Sequence, residues 1–310
     1  METRDTVLIY GGGTMGCGIA CCAALAGERV ILLGKDAAGA EKGMPRVKAV
    51  LDDMRGQGLC GENEAEKAFA RIGAAGDLEP IKNRVKLVIE AVYEKLDLKQ
   101  DIFARLDEIL PPEVPLLSNT SGLRITDIAK KTKHPERTLT THFWLPAHLI
   151  PLVEVVIGEQ SSPELADKIK TYLAGWGKKP VIVKRDLPGQ LANRILQAII
   201  REAVNIVEMG LASAEDVDTA VKMGMALRFP VWGPLEHVDA VGFDICESVQ
   251  NTVLPGISDR RNASPLLAEM RSEGNIGYKS GKGFYDWSRK DMDALVKKRN
   301  EFIIHALKKA

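Results

Sequence analysis

The sequence predicts an α/β protein: a doubly wound, largely parallel sheet followed by an all-α domain. Three observations carry this. Near the start, Thr6-Val7-Leu8-Ile9-Tyr10 reads as a short buried strand, Gly11 to Gly16 as a glycine-rich turn, and the small apolar run from Ile19 to Ala26 as a helix packed closely on a sheet. From there to Val183 strand-like and helix-like segments alternate, the mark of parallel βαβ units. Beyond Gln190 the period is that of helices alone. The expected domains are therefore 1–187 and 188–310.

The first turn sets the fold. Gly11, Gly13 and Gly16 fall between a strand and a helix. A dinucleotide-binding (Rossmann-type) fold needs glycines there for the tight turn, for backbone approach to a pyrophosphate and for helix–strand contact. Thr14 and Met15 complete the turn, and the helix N-terminus offers N–H groups and a positive dipole end to phosphates. Arg29 to Leu33 supplies the second strand. Lys35 to Ala70 is polar and helical, broken by Gly56-Gln57-Gly58-Leu59-Cys60-Gly61. A third strand is expected near Arg71-Ile72-Gly73 and a clearer one over 84–90. An amphipathic helix follows from Leu96 to Leu110, then a strand at 114–117 running into the hydroxyl-rich turn Ser118-Asn119-Thr120-Ser121-Gly122. Strands at 138–143 and 152–157 flank a connection holding Pro146 and Pro151, Val181-Ile182-Val183 is the last strand, and Asp186 to Gly189 is the boundary. In the helical part, Leu191, Ile195, Ile199 and Ala203, with their neighbours, form an apolar face wide enough for a core or a second subunit.

Bulk properties narrow the classes. Lys plus Arg equals Asp plus Glu at 42 each, so no long-range field favours nucleic acid or an anionic membrane. No apolar run reaches spanning length, and the start lacks a signal-peptide pattern. The five cysteines lack metal-ligand spacing, and three of them crowd the first helix as small hydrophobes. A reduced, cytoplasmic protein without a metal is the simplest reading.

His142 ends a strand on the carboxyl side of the sheet, the edge where open α/β sheets bind ligands. Glu154 stands twelve residues later, in the strand that a proline-bent reversal would bring alongside. A carboxylate on one imidazole nitrogen fixes the tautomer and leaves the other to accept a proton. From spacing alone, a strand-end histidine is more often a hydrogen-bonded structural residue. Ser121 lies on the same edge, where capping would explain it equally, and Asn193 opens the first helix past the boundary, where a polar residue could simply face solvent.

The ordered set Gly-x-Gly-x-x-Gly, Val88-Ile89-Glu90-Ala91-Val92, Ser118-Asn119-Thr120-Ser121, Thr141-His142-Phe143, Pro151 to Val156, Asp186-x-Pro188-Gly189 with Asn193-Arg194, and Gly281-x-Gly283-Phe284-Tyr285 resembles the 3-hydroxyacyl-CoA dehydrogenase family over almost the whole chain. The resemblance implies a Rossmann domain followed by a helical domain that makes a homodimer. It implies a hydride passed to a nicotinamide, with His142 as general base, Glu154 as its orienting partner, and Ser121 and Asn193 holding the substrate oxygen. It puts the cofactor on the glycine turn and on Glu90, Lys95, Asn119 and Lys279.

Three departures bear on specificity. The family's His-x-x-Asn-Pro is His142-Phe143-Trp144-Leu145-Pro146 here, and Leu145 offers no hydrogen bond. The basic run that CoA-using members tend to carry after the second strand is interrupted by Asp52-Asp53, unfavourable beside a polyphosphate. The acid that ends the second strand in NAD-binding members is replaced by Gly34 followed by Lys35, which predicts that NADP is tolerated or preferred over NAD. The expected substrate is a 3-hydroxyacyl compound. The alternatives are a small free hydroxy acid, or an aldehyde, without CoA, and a non-catalytic nucleotide-binding protein.

Overall fold

The computed structural model describes residues 4–309. These form two compact units, one running to Asn193 and taking up the chain again from Arg299, the other Arg194–Lys298.

The first unit is built on eight strands: β1 (Thr6–Tyr10), β2 (Arg29–Leu33), β3 (Ile72–Ala75), β4 (Val85–Glu90), β5 (Leu116–Ser118), β6 (Thr138–Phe143), β7 (Leu152–Val156) and β8 (Lys179–Val183). Their order is β3-β2-β1-β4-β5-β6-β7-β8. The first six run parallel, as the βαβ alternation predicts, and β7 turns back antiparallel to β6 with β8 parallel to it. The order reverses between β1 and β4, the switch point at which such sheets take a ligand. Helices α1 (Thr14–Leu25), α2 (Ala37–Glu41), α3 (Met44–Gly56), α4 (Glu62–Ala70), α5 (Leu96–Ile109), α6 (Ile125–Ile128) and α7 (Pro163–Ala174) connect the strands.

Strand alternation divides the core in two. Val7, Ile9, Leu117, Leu139, Val153 and Val155 join α1, α3, α4 and α7 on one face, where Cys17, Cys21 and Cys22 are buried as expected. Leu8, Val88 and Leu116 join α5 and α6 on the other. On that second face register places Glu90, Ser118, Thr140, His142 and Glu154 side by side, so a polar lane crosses the sheet near its carboxyl edge.

The glycine turn does the steric work that the sequence assigns it. Gly11 has φ 127°, and a Cβ on Gly16 would lie 1.8 Å from the Gly11 carbonyl oxygen. No side chain larger than hydrogen lets α1 approach β1 so closely.

The second unit is helical: it takes most of α8 (Ala192–Glu208), then α9 (Ala214–Ala220), α10 (Pro234–Val241), α11 (Phe243–Val253) and α12 (Pro265–Ser272). The Tyr285 hydroxyl donates to the Asp218 carboxylate at 3.0 Å and to the Ala214 carbonyl at 3.1 Å, fastening the Gly281–Trp287 turn to α9. The last helix, α13 (Met292–Lys309), ends on the first unit, where Ile304 is buried and the Lys308 ammonium donates to the Gln57 carbonyl at 2.6 Å.

Candidate active site

His142 and Glu154 are direct cross-strand partners in β6 and β7. The imidazole Nδ1 meets Glu154 Oε2 at 2.7 Å, with His142 7% exposed and Glu154 fully buried. Because an ionised carboxylate can only accept, Nδ1 carries the hydrogen and Nε2 keeps the lone pair. Glu154 receives three further donors. The Trp144 indole N–H gives to Oε2 at 3.0 Å, and the backbone N–H groups of Leu191 and Ala192 give to Oε1 at 2.8 Å each. Gln190, left-handed at φ 53°, makes the turn that presents those two amides at the start of α8. Burial pushes the Glu154 carboxyl up, but the hydrogen bonds from His142, Trp144, Ala192 and Leu191 outweigh it and hold it down at about 2. The carboxylate is therefore anionic and rotationally fixed.

Ser121 lies on the neighbouring loop after β5, and its organiser is a residue that sequence reasoning passed over. Glu94 Oε1 accepts from Thr120 Oγ1 at 2.5 Å, from the Ser121 amide at 2.9 Å and from the Gly122 amide at 3.0 Å. Lys99, fully buried, joins Glu94 Oε2 at 3.3 Å to Glu90 Oε1 at 2.7 Å. Burial pushes the Glu94 carboxyl up, and the Thr120 hydroxyl, Lys99 and the two amides more than reverse that. Asn119 spends its side-chain oxygen on the Phe143 N–H at 2.8 Å and its own N–H on the Glu90 carbonyl at 2.7 Å, tying the ends of β4, β5 and β6 together. Asn193 is the second residue of α8, adjacent to the Ala192 amide that Glu154 holds.

Two expected cofactor residues are corrected. Glu90 is fully buried, with Oε1 taken by Lys99 and the Val92 amide and Oε2 by the Ser118 hydroxyl, so its carboxylate supports the loop from beneath and cannot touch a ligand. Gly34 is buried against α2, and a Cβ there would come within 2.4 Å of the Ala40 amide nitrogen. No acid can stand at that position, so its absence says nothing about the cofactor. The carboxylate at the end of β2 is Asp36, exposed beside exposed Lys35 and capping α2 through the Gly39 N–H at 2.7 Å.

The residues present suit a dinucleotide. Gly13 is the N-cap of α1, no side chain caps the helix, and a Cβ on Gly13 would meet nothing within 4 Å. Thr14 and Gly13 are exposed and Met15 half-buried, which leaves an open cradle of unpaired N–H groups at a helix N-terminus. Lys95 is exposed at the N-cap of α5, and Lys279 is exposed on a short turn of the second unit. Among the described residues no cluster of His, Cys, Asp or Glu could hold a metal.

Comparison with known proteins gives the family. The family model for the NAD-binding domain of 3-hydroxyacyl-CoA dehydrogenase matches residues 6–187, and that for its C-terminal domain matches residues 189–287. A probable 3-hydroxybutyryl-CoA dehydrogenase of Bacillus subtilis is 37% identical over 94% of this chain and 99% of its own. The 5-formyl-3-hydroxy-2-methylpyridine 4-carboxylate 5-dehydrogenase of Mesorhizobium japonicum is 32% identical over 94% of each chain. A solved structure of an enzyme of that last name, described as an NAD+-dependent dismutase, superposes with TM-score 0.88 at 30% identity, covering 98% of this chain and 97% of its own. The (S)-3-hydroxybutyryl-CoA dehydrogenase of Ralstonia eutropha superposes with TM-score 0.77 at 33% identity, covering 93% of this chain and all of its own. With both domain models matched in order along a Rossmann-type sheet and a helical unit, the chain belongs to the 3-hydroxyacyl-CoA dehydrogenase family, whose members are NAD-dependent oxidoreductases.

Proposed function

We propose that the protein interconverts the hydroxyl and the ketone of a 3-hydroxyacyl substrate. The observation that carries this is the buried His142–Glu154 pair at the ligand-binding edge, with Nε2 left to take a proton. His142 removes the hydroxyl proton as the carbonyl forms, and Glu154 holds the ring and stabilises the imidazolium. Ser121, on the loop braced by Glu94, and Asn193 bind the reacting oxygen. Bound NAD would supply the hydride acceptor, held by the Gly11–Gly16 turn, with Lys95 and Asn119 of the first unit and, by the family resemblance alone, Lys279 as further cofactor residues. The Lys35 ammonium supports tolerance of NADP, against the repulsion that Asp36 offers a 2′-phosphate.

A second reading, a small free carboxylate substrate without CoA, rests on the charges of α3. Asp52 pairs with Lys48 at 3.1 Å and Arg55 at 3.4 Å, and Asp53 Oδ2 lies 4.0 Å from His148 Nε2. Two of the three cations of α3, Lys48 and Arg55, are matched by Asp52, and the third, Arg46, donates to the Gly12 carbonyl, which limits the net attraction for a polyphosphate. The likeness to the pyridine-carboxylate enzyme points the same way. Nicotinamide absorbance with matched pairs of CoA thioesters and free acids, each with NAD and NADP, separates the readings. A tenfold or greater kcat/KM for thioesters is expected on the first and the reverse on the second, and turnover of neither rejects both. A kcat/KM with NADP a hundredfold below that with NAD, about 2.7 kcal/mol, ends the NADP proposal.

The domain division at 187/188, where the two family models meet, is kept as part of this reading, as is a cytoplasmic location, supported by five free cysteines. No helix among the described residues is long and apolar enough to cross a membrane. A homodimer through the helical unit is supported by its exposed Leu211, Met223, Leu235 and Phe243 and by an apolar groove of about 720 Å³ lined by Ile199, Ile206, Val217 and Val221. Sedimentation at micromolar concentration is expected to give twice 33.8 kDa, and a monomer there rejects the dimer.

A further inference from the structure

Trp144 lies in none of the roles above, and the family pattern leaves its position open. Its indole N–H nevertheless donates to the same carboxylate oxygen that receives His142 Nδ1. The indole and imidazole centroids are 5.6 Å apart at an interplanar angle of 48°. From this geometry we infer that Trp144 is a positioning residue for His142, locking the Glu154 oxygen in place and keeping the transferred proton on the imidazole.

The argument starts from the four donors on Glu154. Oε1 is held by two backbone amides, which fix one end of the carboxylate. Oε2 would be held by His142 alone without Trp144. An imidazole ring that must turn toward a substrate hydroxyl cannot also be the anchor of the group that orients it. The indole N–H supplies an independent anchor from half-buried Trp144, two residues along the chain. Its second effect is on proton affinity. A carboxylate oxygen already accepting one hydrogen bond binds a proton less tightly, so a proton arriving at Nε2 leaves the Nδ1 hydrogen on the ring and does not drive it across to Glu154. The reaction can then run in either direction from one tautomer.

The inference rests on His142 being the general base, and its test separates the two ideas. Trp144→Phe keeps the ring and removes the N–H. We expect kcat to fall about tenfold, about 1.4 kcal/mol, with KM and NAD affinity within about twofold of the native values. The solvent deuterium isotope effect on kcat should rise, because proton transfer becomes more limiting. An inactive His142→Gln together with a fully active Trp144→Phe of unchanged isotope effect overturns the role of Trp144 alone. An active His142→Gln overturns the general-base reading beneath it. Fluorescence gives a test without substrate and without Trp144→Phe, should that variant not fold. A protonated imidazole quenches a neighbouring indole, so native emission should show a pH step that His142→Gln lacks. Trp232 lies 5.7 Å from His237, a pair that both proteins share and that cancels in the comparison. The titratable groups on this face are Glu154 from β7, Glu90 at the end of β4, Lys99 from α5 and Glu94 from the loop between them, and all remain in both proteins. Identical titrations of the two proteins overturn the coupling of Trp144 to His142.

Discussion

Replacing His142 with Ala is expected to lower kcat by about 10²- to 10⁴-fold, the contribution of a positioned general base, while NAD binding is kept. The imidazole is the basic group at this edge that pairs a buried anionic partner with a nitrogen left to take a proton. The cofactor turn joins β1 to α1, and β4 and β5 stand between β1 and the strand that carries His142. Steady-state kinetics and a fluorescence titration with NAD make the comparison. A variant with near-native turnover rejects the assignment. Glu154 is held down at about 2, so its carboxylate stays ionised at pH 4 and above, and the comparison of the two enzymes can be made anywhere in that range.

Much of this site could be read from the chain because its key pair is set by local rules. His142 and Glu154 flank a short reversal between two strands, and strand parity then decides that both face the same side of the sheet. The glycine turn is equally local, since a strand, a tight bend and a helix within about twenty residues leave one arrangement. Glu94 was not readable in this way. Its partners Thr120, Ser121 and Gly122 are 26 to 28 residues further on, and an acid before an amphipathic helix looks like a solvated one. Lys99 misleads for a related reason: helical periodicity assigns a lysine to the wet face, yet its ammonium is buried between two carboxylates. Glu90 at the end of β4 reads as a ligand contact, yet it is the buried anchor of that ammonium. Gly34 shows the limit of reading an absent side chain, because the reason for glycine is the backbone of α2, which counting from the first glycine does not reveal. The return of α13 to the first unit has no signature in composition either, as it depends on a buried Ile304 and on Lys308 meeting a carbonyl 251 residues earlier.

Glu154→Gln should be costly both to catalysis and to folding, and the two losses have one cause. All four partners of the carboxylate are donors: His142 Nδ1, Trp144 Nε1 and the amides of Leu191 and Ala192. A glutamine has one accepting oxygen, so its NH₂ must confront either the two ring N–H groups or the two amides, in a site with no solvent access. If the amide end is satisfied, the imidazole flips or changes tautomer and kcat falls by about 10²-fold or more with KM little changed. If the ring end is satisfied, the start of α8 loses its anchor. The linkage gives the stability term its sign. The folded-state carboxyl titrates at about 2 against an ordinary 4.5, so the native chain gains stability that is fully present above about pH 4.5 and is lost as pH falls toward 2. That displacement corresponds to about 3 kcal/mol, or roughly 5 to 10 °C in the unfolding midpoint of a domain this size. Glu154→Gln should therefore melt several degrees below the native protein at pH 7, and the gap should narrow as both are acidified below pH 4. Thermal unfolding followed by circular dichroism across that range decides the matter. A gap that stays constant with pH would mean that the carboxylate contributes packing alone, and that its charge does not hold the site together.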